Sequence, residues 1–277
     1  MAGDTADTPE TGRNRTHSQL SDAELADILA GLSAVSRPLI CDWFRGSEAV
    51  EWKPDASPVT RADKAAETAL RAAIEARFPD DAILGEEHAA RPGSGKTGYS
   101  WVIDPIDGTR AFVCGRPVFG TLVGLVDGTT PVAGLIDMPM LDECYVGVGG
   151  KTVLNGAAAT TSQVTSLGRA RIASTAPEAL LADSLAAFNR MVDQAAITVY
   201  GGDCHNYALL AAGHLDLVLG DGLATHGLMG VVEVVRGAGG IITDKQGAPV
   251  SLDGTSSLLA AATPALHAEA LRIVKAV

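Results

Sequence analysis

The sequence predicts an α/β or layered α+β protein, and three observations carry that reading. Its 277 residues are 47% hydrophobic but only 4% aromatic, so the core must be built from Ala, Val, Leu and Ile. That composition belongs to ordered domains rather than to disordered chains. Short apolar runs bounded by Gly, Pro and Asp alternate with stretches whose apolar residues recur at helical spacing. In the middle, the run Trp101-Val102-Ile103 stops at a turn, Asp104-Pro105-Ile106-Asp107-Gly108, and an apolar pattern resumes at Ala111-Phe112-Val113. The length suits one large domain or two modest ones.

Residues 1–20 are polar and are expected to form a disordered tail. Ser21-Asp22-Ala23-Glu24 is a capping box, and behind it Leu25, Ile28, Leu29, Leu32 and Val35 define a helix. Pro38 should kink or interrupt it, with the pattern continuing towards Phe44. Residues 51–57 read as a loop or short strand. Thr60 and Asp63 open a second helix with Ala66, Ala69, Leu70, Ala73 and Ile74 on one face. These two residues serve either as a simple cap or as part of a site. Residues 82–84 form a strand, followed by Gly85-Glu86-Glu87-His88. The two glutamates are either surface charge or a third carboxylate beside Asp104, delivered by one strand-loop-strand unit across residues 91–98.

After the central turn, strands are expected over 118–126, 132–136 and 143–148, with a hairpin or loop at Asn155-Gly156. A domain boundary falls near 150–167, separating an N-terminal α+β half, 21–152, from a C-terminal α/β half, 153–277. In the second half, residues 171–174 begin the chain's next run of structure. Helices are expected over 180–192, 206–213, 228–236 and 264–277, the last burying Leu266, Ala270, Ile273, Val274 and Val277. Strands are expected over 196–199, 215–219 and 239–244. Gly201-Gly202-Asp203-Cys204 lies at a strand's C-terminal end, where open α/β sheets place ligands.

The central turn holds two carboxylates that repel each other unless something neutralises them. A divalent cation with oxygen ligands, Mg²⁺ or Mn²⁺, is the usual solution, and the Ile106 carbonyl can add an oxygen. Asp107-Gly108-Thr109 also reads as a helix start, with Asp or Thr as cap and N–H groups free to hold phosphate. An ordinary Asp-rich turn is the alternative.

Charge and cysteine content narrow the function classes. The net charge of −12 and pI near 4.8, with no basic stripe, exclude general nucleic-acid binding. A phosphorylated substrate remains compatible, because bound cations reverse the local field. The four cysteines form no CxxC pair, no apolar signal segment opens the chain, and no run is long enough to span a membrane. A cytoplasmic setting is expected.

Gly85-Glu86-Glu87, then WVIDPIDGT at 101–109, then Ala238-Gly239-Gly240 before Ile241-Ile242-Thr243-Asp244, in this order and spacing, resemble the inositol monophosphatase superfamily. Within it, Thr109-Arg110-Ala111-Phe112, Gly115-Arg116-Pro117, Gly120-Thr121-Leu122 and Gly201-Gly202-Asp203-Cys204 with Asn206-Tyr207 look most like the histidinol-phosphate phosphatase branch. The resemblance implies a layered αβαβα sandwich, two or three Mg²⁺ ions per site with Mn²⁺ as substitute, a homodimer, and in-line hydrolysis of a small phosphate monoester. It implies that Glu86, Asp104, the Ile106 carbonyl and Asp107 are metal ligands, Asp104 bridging two ions. Thr109 and Glu86 would orient and help deprotonate the attacking water, supported by Asp63 and Thr60, and the Gly108 and Thr109 N–H groups would hold phosphate. Asp203 is a candidate partner for a substrate amine, or merely a turn Asp. Arg190 could reach a neighbouring site in a dimer, though a surface arginine is the plainer expectation.

One departure stands out. The family's last Asp ligand, at the start of the helix leading to Ala238-Gly239-Gly240, falls at position 227, and this chain has Gly227 there. A second acidic position used for substrate is also glycine, Gly220, with Asp221 adjacent. His226 is expected to sit at the helix start without metal contact; as a ligand it would favour Mn²⁺ or Zn²⁺ over Mg²⁺. The expected activity is therefore histidinol-phosphate hydrolysis. A broader inositol or sugar phosphatase, and an impaired relative that binds phosphate and metal, are the alternatives.

Overall fold

The computed structural model describes residues 17, 20–46, 50–52, 58–254 and 256–277. Most of the predicted tail, 1–20, lies outside the described residues. Its described His17 is buried, stacked on Phe78 and bonded to Asp81 Oδ2 at 2.5 Å.

Helix α1 (Asp22–Trp43) starts at the predicted capping box, where Ser21 Oγ accepts from Glu24 N at 3.2 Å. It runs through Pro38 without ending and caps at Phe44. A short pair, β1 (Glu51–Trp52) and β2 (Pro58–Val59), precedes α2 (Arg61–Arg77).

Seven strands form the first sheet: β3 (Ala82–Gly85), β4 (Tyr99–Asp107), β5 (Gly120–Asp127), β6 (Thr130–Met138), β7 (Glu143–Val148), β8 (Lys151–Leu154) and β9 (Ala157–Ala158), neighbours in that order. β3 runs parallel to β4, and every later pair is antiparallel. Helix α3 (Thr109–Val113) interrupts between β4 and β5. The chain then builds β10 (Arg171–Ser174), α4 (Ala182–Val192), β11 (Ile197–Tyr200), α5 (Cys204–Ala211), β12 (Leu217–Gly220), α6 (Thr225–Gly237), β13 (Ile241–Thr243), β14 (Leu258–Ala261) and α7 (Pro264–Lys275). Their five-stranded sheet has the order β11-β10-β12-β14-β13. Strand β14 was not expected; its Leu-Leu-Ala-Ala is buried on both faces and lacks the alternation that marks a strand. Val277 was expected inside but is exposed, because α7 ends at Lys275.

Three apolar clusters stack these elements into five layers. Leu29, Leu70 and Ile74 of α1 and α2 pack on one face of the seven-stranded sheet, through Trp101, Ile103 and Leu135. Its other face, through Val102, Leu122 and Ile136, meets Met229, Val232 and Leu210 of α6 and α5, which also cover Val218 and Ala260 of the second sheet. Phe188 of α4 and Leu266 of α7 close the outer face on Leu217, Leu219 and Leu259. This is the expected αβαβα sandwich. Among the described residues no helix is long and apolar enough to cross a membrane.

Candidate active site

The site forms where β3 and β4 end and α2 and α6 begin. The parallel register Gly85↔Ile103 sets Glu86 beside Asp104, as the strand-loop-strand reading required. The central turn differs from expectation. β4 does not stop at Ile103; it runs to Asp107, and its register against β5 jumps from Asp104↔Leu122 to Asp107↔Gly120. Three steps on β4 thus oppose two on β5. This bulge accommodates Pro105 and turns Asp104 and Asp107 towards one space. The cap is also different. Gly108, at φ +86°, is the N-cap of α3 and no side chain caps it; the Thr109 hydroxyl instead donates to the Ile106 carbonyl at 2.9 Å. Asp107 does not cap; its Oδ2 accepts from Cys204 N instead.

Thr60 and Asp63 form the cap, and Asp63 stands near the acidic cluster. Asp63 Oδ2 accepts from Thr60 N at 2.8 Å and Thr60 Oγ1 at 2.6 Å, while Asp63 is fully buried and close enough to feel the charge of Glu86. Burial first, and Glu86 after it, push its carboxyl up to about 6 against the Thr60 hydrogen bonds. Asp104, 4% exposed, is pushed well above the carboxylate range by burial and by Glu86 and Asp107. Asp107 rises to about 7 through burial and Asp203, although Cys204 N donates to its Oδ2 at 2.6 Å. Burial also raises Asp203, while a Thr175 hydrogen bond and the charges of Arg110 and Arg116 pull it back.

Two oxygens decide what this cluster can hold. Asp63 Oδ1 and Asp104 Oδ1 are buried and meet no donor. Carboxylates crowded this closely, with oxygens lacking protein partners, fit a divalent cation. One ligand atom each from Glu86, Asp104 and His226 lie within 4.8 Å of one another. His226 was expected away from the metal; instead its Nε2 stands 3.6 Å from Glu86 Oε2. A Cβ built on Gly227 would lie 3.6 Å from Asp104 Oδ2 and 3.8 Å from Asp107 Oδ1, so position 227 does face the cluster.

The cluster opens into a cavity of about 290 Å³ lined by Glu86, Asp107, Thr109, Asp203, Tyr207 and Asp221 among others. Asp203 therefore joins the site from the end of β11, in a strained backbone conformation (φ 44°). Arg190 does not. It lies on α4 at a separate surface cavity with Asp193, Glu269 and Arg272, and its Nη1 contacts the Ala276 carbonyl.

Sequence reasoning missed the residue that shapes the glutamate turn. Glu67, fully buried on α2, accepts from Glu87 N at 2.7 Å, His88 N at 3.2 Å and Arg71 Nε at 2.6 Å. Its signal was available: it follows Asp63 by four residues, on the same helix face.

Fold and site define a phosphatase class, and comparison with known proteins agrees. Residues 22–277 match the inositol monophosphatase family, and the chain belongs to it. It is 40% identical to the chloroplastic bifunctional phosphatase IMPL2 of Arabidopsis thaliana over 251 residues, 89% of this chain and 72% of that protein. It is 35% identical to a histidinol-phosphatase of Chlorobaculum parvum, covering 78% of this chain and 84% of the relative. A histidinol-phosphatase of Streptomyces coelicolor matches at 32% over 91% and 96% of the two chains. Among solved structures, an inositol monophosphatase from Zymomonas mobilis superposes with a TM-score of 0.83 at 36% identity, covering 93% of this chain and all of that one.

Proposed function

We propose that this chain is a divalent-metal-dependent phosphomonoesterase whose substrate is histidinol phosphate. The observation that carries the reading is the convergence of Glu86, Asp104 and Asp107 beside a cavity that Glu86 and Asp107 line, with a buried Asp104 oxygen that no protein donor meets. Glu86, Asp104, the Ile106 carbonyl and Asp107 are the groups that would hold Mg²⁺ or Mn²⁺. A bound cation polarises phosphoryl oxygens and lowers the pKa of water. The chain's own residues do the positioning. Glu86 and Thr109 orient the attacking water, and the Glu86 carboxylate takes its proton. Asp63, fixed by Thr60, backs Glu86 from α2. The Gly108 and Thr109 N–H groups, in a first helical turn, receive phosphate oxygens.

Asp203, across the cavity, pairs with the substrate's amine, and the cavity between the cluster and Asp203 takes the remaining ring. Relatives named histidinol-phosphatase favour this substrate over an inositol phosphate. Homodimerisation belongs to the same reading: the edge strand β11 exposes Ile197, Val199 and Tyr200, with Leu181 beside the same sheet. Light scattering tests it.

Gly227 favours a second reading, an impaired relative that binds phosphate and cation without turnover. Phosphate release from histidinol phosphate and from inositol 1-phosphate, over Mg²⁺ and Mn²⁺ titrations, separates the two. Histidinol phosphate should turn over faster, and Asp104→Asn should abolish release. Activity confined to Gly227→Asp would establish the second reading. Faster release from inositol 1-phosphate would overturn the substrate assignment.

A further inference from the structure

The family resemblance puts an acidic ligand at position 227, where this chain has Gly227, yet α6 still delivers a ligand atom to the cluster. Ala224 caps the helix with no side-chain hydrogen bond, so no capping interaction dictates the chemistry of its first turn. Gly227 points at Asp104 and Asp107 with only a hydrogen where a side chain would go. One residue earlier, His226 leans towards the same space. Its side chain is three-quarters covered, and its Nε2 stands 3.6 Å from Glu86 Oε2. Glu86, Asp104 and His226 each present a ligand atom within 4.8 Å of the others.

The Asp104 side chain shows that this is more than a surface ion pair. It is 4% exposed, and its Oδ1 has no hydrogen-bond partner. A histidine and a glutamate at 3.6 Å would be content as they are. A buried aspartate with an orphaned oxygen in the same cluster is not, and a cation would satisfy it.

We propose that His226 is a metal ligand, adding an imidazole beside the Glu86 and Asp104 carboxylates so that the site takes a first-row transition ion, Mn²⁺ or Zn²⁺, in preference to Mg²⁺. The chemistry follows from the donors. Carboxylate and carbonyl oxygens suit Mg²⁺, whereas imidazole nitrogen binds transition ions better, and affinity rises from Mn²⁺ along the first-row series. Exchanging an acidic side chain at 227 for an imidazole at 226 lowers the negative charge that attracts Mg²⁺ and adds a donor that Mg²⁺ uses poorly. The proposal rests on the reading of the acidic cluster as a cation site and extends it to a ligand and a metal preference.

The test needs no turnover. The full chain is stripped with a chelator and loaded with Mn²⁺, and electron spin echo spectroscopy looks for coupling to a coordinated imidazole nitrogen. Calorimetric titrations with Mg²⁺, Mn²⁺ and Zn²⁺ run in parallel on the parent, His226→Asn and Asp104→Asn. The expected result is nitrogen coupling in the parent and none in His226→Asn. Mn²⁺ and Zn²⁺ affinity should fall by at least the roughly 10–100-fold typical of lost supporting groups, with Mg²⁺ affinity held. Mn²⁺ binding without nitrogen coupling in the parent overturns the proposal even if the variant fails to fold. Mn²⁺ binding undiminished in Asp104→Asn overturns the cluster reading itself, a separate failure.

Discussion

Gly227→Asp is the substitution that reads the site most directly. A Cβ at 227 would meet Asp104 Oδ2 at 3.6 Å and Asp107 Oδ1 at 3.8 Å, ordinary contact distances, so the side chain has room. Its charge is the difficulty. Two like charges about 4 Å apart repel by about 4 kcal/mol at an effective dielectric constant of 20. Position 227 is the third residue of α6. Replacing glycine there by an acidic residue returns about 0.3 kcal/mol of helix propensity and up to about 1 kcal/mol from the helix dipole. Taking one such repulsion, the ion-free variant loses about 3 kcal/mol, a fall in Tm of roughly 6–12 °C for a chain of this size. A divalent cation offsets most of that loss, since Mg²⁺ at 100 times its Kd adds about 2.7 kcal/mol. Thermal melts of parent and variant, in chelator and across a Mg²⁺ series, measure both effects. An ion-free variant that melts at or above the parent would refute the reasoning, as would equal Mg²⁺ stabilisation of the two proteins.

Asp104→Asn should raise the Tm of the ion-free protein by relieving the same repulsion, while phosphate release drops by more than the roughly 10–100-fold seen on losing outer groups. Glu67→Gln removes the charge from a buried pair with Arg71 and loosens the turn that carries Glu86; urea unfolding should show a loss of about 3–5 kcal/mol. The pH dependence of the ion-free protein should be inverted relative to ordinary acid denaturation. Asp63 titrates near 3.8 when unfolded and at about 6 when folded, so its stabilising contribution, about 3 kcal/mol, is complete below pH 3.8 and lost as pH rises through 6. Melting in chelator should therefore be higher at pH 5 than at pH 8, and saturating cation should remove the difference; a higher Tm at pH 8 in chelator would contradict it. Gly134→Ala, whose Cβ would meet the Gly230 carbonyl at 2.4 Å, should cost about 1–3 kcal/mol and weaken cation binding in calorimetry without touching a ligand.

Local features were the legible ones. Both capping boxes, at Ser21 and at Thr60, are set by side chains reaching backbone three residues away, and both formed as read. Glu86 beside Asp104 followed from one strand-loop-strand unit between two apolar runs. Features that depend on a partner strand were not legible. The register jump between Asp104 and Asp107 exists only relative to β5, so the turn read as the end of a strand. Buried strand β14 carries no periodicity. His226 shows the same limit from the other side. Spacing pointed to position 227, which faces Asp104 and Asp107, but only the rotation of α6 against β4 reveals that its neighbour also turns towards Glu86.

That rotation has its own cause. Gly124, Gly134 and Gly147 are register partners on three adjacent strands, forming a row across the seven-stranded sheet. A Cβ on any of them would strike the α6 backbone: Met229 C at 2.6 Å, Gly230 O at 2.4 Å and Glu233 O at 2.3 Å. The row is a groove without side chains, and α6 lies in it closer than ordinary helix-on-sheet packing permits. Its first turn has little freedom, because the valines and methionine behind it are packed into the central core. The bulge in β4 aims two carboxylates at a point, and the glycine row sets the end of α6 at that same point. Whatever residue stands at 226 or 227 is then committed to the cluster. On the reading proposed above, Gly227 in place of an acid changes what the site binds, while the framework that aims positions 226 and 227 at the cluster is set by the sheet.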